Sequence, residues 1–314
     1  MPGGGIGASV NLSQLTIKDF DNIFYDTYLR PDPEYTEVFN IREADANYWR
    51  QGQIGGFGAL QDVDEGGLVP YDVMKQGPEK TIRYKNIALA VQITQMLRED
   101  DKSGIVAKIP ELMAKSLYYT CELKAWDVFN NAFVTTNRVG LDSQALLSSA
   151  HVLVDSASTY SNLGSPAASL AETPLLALLD MFELNVNERN IPAPIQPRMV
   201  IVPIQLRWVM ERLGYSEYRV GGMDNDINVL GPKGEILGPR PGKLKFMVGH
   251  YLTSTKAYFV VADQADHDLR FVWRRKLQTR AQDDFNTESW LYKATARLTA
   301  DFFDFRGVAG NQGA

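Results

Sequence analysis

Two stretches near the carboxyl end decide the fold: LRFVWRRKLQTR at residues 269–280 and WLYKATARLT at residues 290–299. Both alternate apolar with basic or polar side chains, at the two-residue period of a strand that buries one face. Residues 281–288 lie between them, so we expect an antiparallel pair with one basic or polar face. The apolar set is Leu269, Phe271, Trp273, Leu277, Trp290, Tyr292, Ala294, Ala296 and Leu298, and it opposes Arg270, Arg274, Lys276, Arg280, Lys293, Thr295, Arg297 and Thr299.

The region before this pair carries signals of both helix and strand. Thr173 is predicted to be the N-cap of a helix over 175–187, because Pro174 then occupies the first helical position. From residue 198 onward the pattern indicates an α/β unit. Its predicted elements are strands at 199–202, 244–248 and 257–261, and a short helix at 205–213 that Gly214 ends.

A long helix is predicted over residues 103–134, with Ser103 as its cap and Pro110 in its first turns. Its apolar positions cover a wide face, and at 1.5 Å per residue it would extend roughly 35–45 Å. We expect such a helix to be the spine of a larger structure. The Ser-, Ala-, Gly- and Asn-rich residues 155–170 after it are predicted to be a linker.

The first hundred residues read as two extended segments. Residues 1–50 are predicted to form an arm with a short helix within 15–28, and they carry four basic against eight acidic side chains. Residues 51–100 are glycine-rich at the start and have turns at 66–67 and 77–78, which predicts a long β-excursion. Its return strand is expected over 81–96, half-buried through Ile87, Leu89, Val91 and Ile93.

Composition excludes several classes of protein. The 314 residues are 45% hydrophobic and 22% charged, close to a globular average. A net charge of −6 gives no overall basic footprint for nucleic-acid binding. A single cysteine, Cys121, rules out an intrachain disulfide and favours a reducing compartment. No apolar run approaches the ~20 residues that a membrane span requires, and no signal peptide is recognisable.

Motifs for catalysis are largely missing. The glycines at 3–7 lack the strand and the βαβ unit of a dinucleotide site, and no Gly-Lys-Ser/Thr phosphate loop is present. Residues 214–218, Gly-Tyr-Ser-Glu-Tyr, lack the closing glycine of a nucleophile elbow and follow a helix. The three histidines are far apart in sequence, and Cys121 has no histidine near it, so no spacing typical of a zinc site is present. They are His151, His250 and His267.

One spacing matches a calcium loop in part. Asp224, Asp226, Asn228 and Glu235 stand at positions 1, 3, 5 and 12. Val229 stands where such a loop needs glycine, so an Asx-rich turn is the better interpretation. We therefore predict no catalytic, cofactor-binding or metal-binding residues and no cofactor, and we expect that the chain is not an enzyme.

The order of these parts resembles the major capsid proteins of tailed bacteriophages of the Hong Kong 97 type, along nearly the whole chain. The helix ending WDVFNNAF at 126–133 and the segment QITQMLREDD at 92–101 are similar to theirs. His151 with Tyr160-Ser161-Asn162 resembles the family's Ser-x-His…Asn linker, and DFRGV at 304–308 resembles its tail.

The resemblance implies an α+β capsid fold with five parts. These are an N-terminal arm (1–50), an extended β-loop (51–100), the spine helix with the first part of the peripheral domain (101–170), an α/β axial domain (171–265) and the closing β-strands of the peripheral domain (266–314). Many relatives carry a scaffolding segment before the arm, and 50 residues are too few for it, which implies a separate scaffolding protein or a processed chain. Self-crosslinking in some relatives needs a loop lysine, but Lys75 and Lys80 are expected to be solvated.

The same resemblance implies a structural head protein that self-assembles into hexamers and pentamers of an icosahedral shell around phage double-stranded DNA. Expected partners are copies of itself, a scaffolding protein, a portal and a decoration protein, without sequence-specific DNA binding and without a membrane. The implied location is the virion, after assembly in the host bacterial cytoplasm. The alternatives are the shell of an encapsulin-like bacterial nanocompartment and an enzyme with a site near residues 215–240.

Charge leads to one further expectation. The arm is acidic by four charges, whereas residues 270–288 carry five basic and three acidic side chains. We expect these opposite surfaces to pair between subunits, and residues 1–50 and 51–90 to become ordered only in the assembly.

Overall fold

The computed structural model describes residues 17–101, 104–155, 158–217, 228, 230 and 243–314. Its helices are α1 (Ile17–Leu29), α2 (Tyr35–Val38), α3 (Gln95–Asp100), α4 (Ile105–Asn130), α5 (Glu172–Glu183) and α6 (Arg207–Tyr215). Its strands are β1 (Asn40–Glu43), β2 (Tyr48–Ile54), β3 (Gln76–Arg83), β4 (Lys85–Thr94), β5 (His151–Val152), β6 (Thr159–Tyr160), β7 (Pro197–Pro203), β8 (Lys245–Gly249), β9 (Tyr258–Ala262), β10 (Leu269–Asp284), β11 (Ser289–Phe302) and β12 (Val308–Asn311).

The predicted closing pair is the centre of a four-stranded sheet in the order β1-β10-β11-β4. We call it the peripheral sheet. Strands β10 and β11 are antiparallel, and the turn between them is shorter than expected, residues 285–288. Alternation along β11 is as predicted, since Tyr292 and Ala294 are buried while Leu291 and Lys293 are exposed. The period-two pattern therefore identified both strands and the buried face of β11, whereas β10 departs from it at the buried Val272 and at two register shifts between Trp273 and Gln278.

The α/β unit contains a second sheet in the order β12-β9-β7-β8, which we call the axial sheet. Strand β8 runs parallel to β7, and β9 and β12 are antiparallel to their neighbours. The last strand, β12, thus joins the axial sheet and not the peripheral sheet of the closing strands. The helix packed on this sheet buries Leu175, Leu178 and Phe182.

The start of helix α5 differs from the prediction. Its N-cap is Ala171 and not Thr173, and the helix ends at Glu183 instead of continuing to 187. Pro174 therefore lies within the first turn, where a missing N–H costs no intrahelical hydrogen bond. Pro174 lies in the first turn, as predicted, but it is the third helical residue and not the first.

The long helix α4 covers 105–130, which is shorter than the predicted 103–134. Gly104 precedes it with a φ of 68°, and the Asp101 carboxylate accepts a hydrogen bond from the Val106 N–H at 2.7 Å. Asp101 thus satisfies one of the free N–H groups of the first turn. The predicted cap, Ser103, lies outside the described residues.

Helix α4 lies between the two sheets and joins their cores. Its Phe129 ring lies 5.1 Å from Phe259 of the axial sheet. On the other side of the same core, Tyr35 stacks on Phe271 of the peripheral sheet, with ring centroids 4.3 Å apart. Because one cluster of buried side chains includes residues of both sheets and of α4, the helix is the spine that its length indicated.

Residues 17–50 of the arm pack against the rest of their own chain. Phe20 of α1 meets Trp290 edge-on at 4.5 Å, and the Asp21 carboxylate accepts hydrogen bonds from Thr279 and Tyr292. Glu43 pairs with Lys276 at 2.6 Å. Two acidic residues of the arm, Asp21 and Glu43, thus bind the closing strands of their own chain, and pairing of charges between subunits stays a prediction.

The predicted strand over 81–96 is divided at Tyr84 into β3 and β4, and α3 follows from Gln95. Strand β3 pairs with β2 as a separate hairpin, whereas β4 is the edge of the peripheral sheet. The predicted linker 155–170 contains β6 and a buried Asn162, so part of it is packed. In the described residues no helix is both long enough and apolar enough to cross a membrane.

Candidate functional site

The hairpin β2–β3 supports a loop of residues 55–75 that exposes large apolar side chains. Leu60, Leu68 and Tyr71 are fully exposed, and further apolar side chains on the loop are largely exposed. Monomeric proteins rarely expose so many large apolar side chains on one segment. The additional residues are Phe57, Val63, Val69, Val73 and Met74.

Arg189 holds both ends of this loop at its base. The guanidinium donates hydrogen bonds to the carbonyl oxygens of Gly56 at 2.7 Å and Val73 at 3.0 Å. It also binds the carboxylates of Asp72 at 2.9 Å and Asp155 at 3.0 Å. The backbone N–H of Gly58 and the Arg189 guanidinium together hold the pKa of Asp72 below its ordinary value. One arginine thus connects the loop to the body of the protein, and we call these contacts the loop anchor.

The position of Arg189 follows from a turn after α5. The Asn187 side chain accepts hydrogen bonds from the backbone N–H groups of Arg189 at 2.9 Å and Ile191 at 3.0 Å. Asn190 has a φ of 61°, a conformation that asparagine tolerates better than most residues. Asparagine at these two places is typical of a turn, so the turn was readable from sequence but its contact with the loop was not.

Glu188 extends the anchor to the carboxyl end of the chain. Its carboxylate accepts hydrogen bonds from Gln53 at 2.9 Å, the Val154 N–H at 3.0 Å and Arg306 at 2.6 Å. Burial opposes the charge of Arg306, but the carboxylates of Asp304 and Glu188 raise its pKa above the ordinary value. The base of the hairpin is thus fixed from three separate parts of the sequence.

The two candidate loop lysines are both paired within the chain. Lys75 forms an ion pair with Asp155. Lys80 lies 2.8 Å from Asp301, and its side chain is only 14% exposed. Burial lowers the pKa of the Lys80 amine, while Asp301 opposes that effect. The expectation of a solvated lysine is therefore wrong for Lys80, which joins β3 to the end of β11.

His151 and Asn162 belong to a buried polar cluster that also contains Asp142. His151 Nδ1 lies 2.6 Å from the Asp142 carboxylate, and Nε2 lies 2.9 Å from the Asn162 side-chain oxygen. The Asn162 amide group donates to the carbonyl oxygens of Leu146 at 2.8 Å and Val308 at 3.0 Å. The resemblance pointed to His151 and Asn162, whereas nothing in the spacing of Asp142 indicated it.

This cluster has a structural role. Asp–His pairs activate nucleophiles in many enzymes, but here both ring nitrogens of His151 are engaged and the side chain is 0% exposed. Its ring also stacks on Phe305 at 3.7 Å. The cluster therefore fixes the segment around residue 162 to the tail near 305–308.

The other candidate residues are two buried groups, His267 and Cys121, and one surface histidine, His250. Burial lowers the pKa of His267 to about 4 and raises the pKa of the Cys121 thiol to about 12, so the imidazole is neutral and the thiol is not ionised at neutral pH. His250 lies on the surface, next to Glu34. Among the described residues no group of three possible metal ligands occurs together.

Two sequence candidates fall largely outside the described residues. They are the calcium spacing at Asp224, Asp226 and Glu235, and most of the alternative enzyme site near 215–240. The segment compared with a nucleophile elbow, residues 214–218, begins within the last turn of α6, which ends at Tyr215 and not at the predicted Gly214.

Comparison with known proteins decides the family. The family model described as phage capsid protein matches residues 80–311, well over half of the chain. This chain belongs to the phage capsid protein family. No curated protein sequence matches it.

Several solved structures have a similar fold. The capsid of a native GTA particle, computed with C5 symmetry, is 12% identical, covers 91% of this chain and 91% of its own, and has a TM-score of 0.59. A structure of Microbacterium phage Oxtober96 is also 12% identical, covers 91% and 93% of the two chains, and has a TM-score of 0.53. A virus-like particle from Pyrococcus furiosus is 9% identical, covers 94% and 98%, and has a TM-score of 0.50.

The predicted fold is confirmed: this capsid protein has the Hong Kong 97-type fold. It is a structural shell protein, and its location is the virion capsid. The family match favours a phage capsid protein over the shell of an encapsulin-like nanocompartment. The loop with its anchor is the part of this capsid protein best suited to contact other subunits, and it is the candidate functional site.

Proposed function

We propose that the chain is a major capsid protein that self-assembles into the hexamers and pentamers of an icosahedral head around phage double-stranded DNA. One observation supports this assignment most strongly. The loop 55–75 is held at its base by Arg189, and strand β2 below it by Glu188, yet its apolar side chains have no neighbours that cover them in the described part of the chain. A segment that is fixed in direction and uncovered is suited to burial against another subunit.

The magnitude is sufficient for association. Full burial of a leucine side chain is worth about 1.5–3 kcal/mol. Leu60 and Leu68 are both fully exposed, so their burial in a neighbouring copy would contribute about 3–6 kcal/mol per subunit before ordering costs. In a closed shell every copy makes this contact, so a modest contribution per subunit is repeated many times.

The remaining partners follow from the same assignment. A scaffolding protein would guide assembly in the host bacterial cytoplasm, a portal would occupy one vertex, and a decoration protein would bind the finished shell. The DNA is enclosed without sequence-specific contacts, in agreement with a net charge of −6. The five parts of the chain, from arm to closing strands, would have the roles that the resemblance implies.

The test is assembly of the purified chain, measured by sedimentation velocity and negative-stain microscopy. Wild type is expected to form capsomers or closed particles, and Leu60→Ser/Leu68→Ser is expected to raise the concentration required at least tenfold. Leu29→Ser/Leu112→Ser is the matched control, because both leucines are exposed but lie on helices away from the loop.

Two results would contradict the proposal. Wild type that remains a small closed oligomer under all conditions would exclude a shell protein. Particles isolated from cells that hold a protein cargo in place of DNA would support the nanocompartment alternative.

A further inference from the structure

A polar cavity of about 490 Å³ lies where four parts of the chain meet. Its walls come from the junction of β3 with β4, the carboxyl-terminal part of α4, residues 137–138 and the end of β11. That volume is within the range of binding sites for small molecules. We call it the basic cavity, because its charged side chains are basic at Arg83, Lys85, Lys124 and Arg138 and acidic only at Asp127 and Asp301.

Both carboxylates of the basic cavity already have cationic partners. The Asp127 carboxylate lies 2.7 Å from the Arg138 guanidinium and also accepts a hydrogen bond from the Asn131 side chain at 2.7 Å. The Asp301 carboxylate lies 2.8 Å from the Lys80 ammonium group. These four charges are thus matched in pairs, and neither carboxylate is left to balance the other cations of the wall.

The other cations are Arg83, Lys85 and Lys124, which we call the unmatched cations. Their side chains make no hydrogen bond or ion pair among the residues that the structure describes. Lys115, on the same helix as Lys124, does pair with a carboxylate, that of Glu111 at 2.6 Å. The lack of partners is therefore a property of this cavity and not of α4 as a whole.

The position of Lys85 is unusual for a charged side chain. Lys85 is the register partner of Leu298, which belongs to the core shared by α4 and both sheets, so the two residues lie on the same face of the sheet. The period-two set of β4 on this face is otherwise apolar: Ile93, Val91, Leu89 and Ile87. Packing would favour an apolar side chain at 85 as well, so packing does not account for the ammonium group.

Positive charge is concentrated in a small volume. Arg83 and Lys85 stand two residues apart, or about 7 Å along the chain. Burial lowers the pKa of the neighbouring Lys80 and the charge of Arg138 lowers it further, while Asp301 opposes both effects. A cleft lined by one sign of charge focuses the electric field and concentrates counter-ions. The basic cavity therefore attracts an anion.

The chemistry of the wall favours phosphate groups. A single carboxylate brings one charge and would leave two of the three unmatched cations unbalanced, whereas linked phosphates bring several charges and oxygens that point in several directions. Arginine matches phosphate with its planar fork, and lysine binds phosphate as a point charge. Neutral donors complete the wall at Thr81, Asn137 and Thr299.

The size of the basic cavity favours a small ligand. A sphere of this volume is about 10 Å across, which accommodates two or three linked phosphates. A DNA duplex, whose major groove alone is about 12 Å wide, is too large to enter.

We propose that the basic cavity binds a small oligophosphate anion, with Arg83, Lys85 and Lys124 as its ligands. The site lies within one chain, so the inference goes beyond the proposed function and does not depend on assembly. A bound anion would connect the junction of β3 and β4 to α4, and it would stabilise the folded chain by mass action.

Isothermal titration of full-length protein with pyrophosphate at low salt tests the proposal. Wild type is expected to bind one pyrophosphate per chain. Arg83→Gln/Lys85→Gln/Lys124→Gln is expected to weaken binding at least a hundredfold, because each lost charge-assisted contact is worth about tenfold. The matched control is Lys108→Gln/Lys256→Gln/Lys293→Gln, which removes three charges at exposed positions outside the cavity and should bind within about twofold of wild type.

Thermal unfolding gives a second measurement. Without pyrophosphate the cavity variant should be at least as stable as wild type, because it loses like-charge repulsion and no partner. With pyrophosphate, wild type and the control should gain in Tm and the cavity variant should not.

Several results would overturn the proposal. Wild type that binds no pyrophosphate would do so, as would equal binding by the cavity variant and the control. A cavity variant that is less stable than wild type without ligand would show that the three cations serve the fold. If wild type bound a 30-base-pair DNA duplex through these residues but not pyrophosphate, the cations would belong to a nucleic-acid surface and the proposal would be wrong.

Discussion

Replacing Arg189 by alanine should free the extended loop while leaving the rest of the protein folded. The Arg189 side chain is 17% exposed, and its guanidinium donates hydrogen bonds to the carbonyl oxygens of Gly56 and Val73 and to the Asp72 carboxylate, all three on the loop. Each of these hydrogen bonds contributes about 1 kcal/mol net. The three together predict a loss of about 3 kcal/mol in the free energy that holds the loop base closed, or roughly a hundredfold in the opening equilibrium.

Hydrogen exchange is the assay, because the affected amides can be identified. The Gly55 N–H donates to the Lys75 carbonyl oxygen at 2.8 Å, so its protection reports closure of the loop base. In Arg189→Ala the peptide covering residues 53–76 should exchange about a hundredfold faster under native conditions, whereas α4 should keep its protection. Arg189→Lys should recover only part of the effect, because an ammonium group lacks the fork that contacts both ends of the loop.

The control is Arg207→Ala, which removes a partly exposed ion pair with Glu211 on α6. It should leave exchange at 53–76 unchanged, since exposed pairs contribute little. Unchanged exchange in Arg189→Ala would refute the anchor. Faster exchange spread equally over α4 would also refute it, because that result would mean global destabilisation in place of a local opening.

Two other predictions concern stability. Burial disfavours the charged ring of His267 and lowers its pKa to about 4 in the folded protein, against 6.5 in the unfolded chain. Between these two pH values the unfolded chain binds one more proton than the folded protein. The free energy of unfolding therefore decreases as the pH falls from 6.5 to 4. Urea unfolding from pH 6.5 to 4 should show wild type losing about 3 kcal/mol more than His267→Gln, and parallel curves would contradict the assignment. Asn162→Leu should cost about 3–5 kcal/mol in urea unfolding at pH 7, because it leaves His151 and the Leu146 and Val308 carbonyl groups without their buried partner. Asn137→Ala, at an exposed position, should cost less than about 0.5 kcal/mol, and equal losses in the two variants would refute the role of the cluster.

Local patterns predicted most of the secondary structure. The alternation at 290–299 predicted β11 and its buried face, and the wide apolar face over 103–134 predicted the spine helix within a few residues. The errors were at boundaries, such as the strand divided at Tyr84 and the N-cap that moved to Ala171. These depend on hydrogen bonds to other parts of the chain, which local propensity does not contain.

The candidate site was predictable only in part. The glycine-rich excursion and its turns were readable, because composition and turns are local properties, whereas the exposure of its apolar side chains was not predicted. Arg189 was missed, because its contacts with Gly56 and Asp72 cross more than a hundred residues of sequence. The acidic arm was placed in another subunit, whereas Asp21 and Glu43 bind the closing sheet of their own chain.

The sequence by itself determined that the chain has alternating closing strands, one long helix and an extended loop, and that it lacks the residues of a recognisable active site. Only the tertiary structure decided that β12 joins the axial sheet, that Asp142 completes the cluster of His151 and Asn162, and that like charges face each other across β10 and β11. The physical reason is the separation along the sequence over which each kind of interaction acts. Strand and helix periodicity depends on neighbours a few residues apart, whereas strand partners and buried hydrogen bonds are selected by packing of the whole chain.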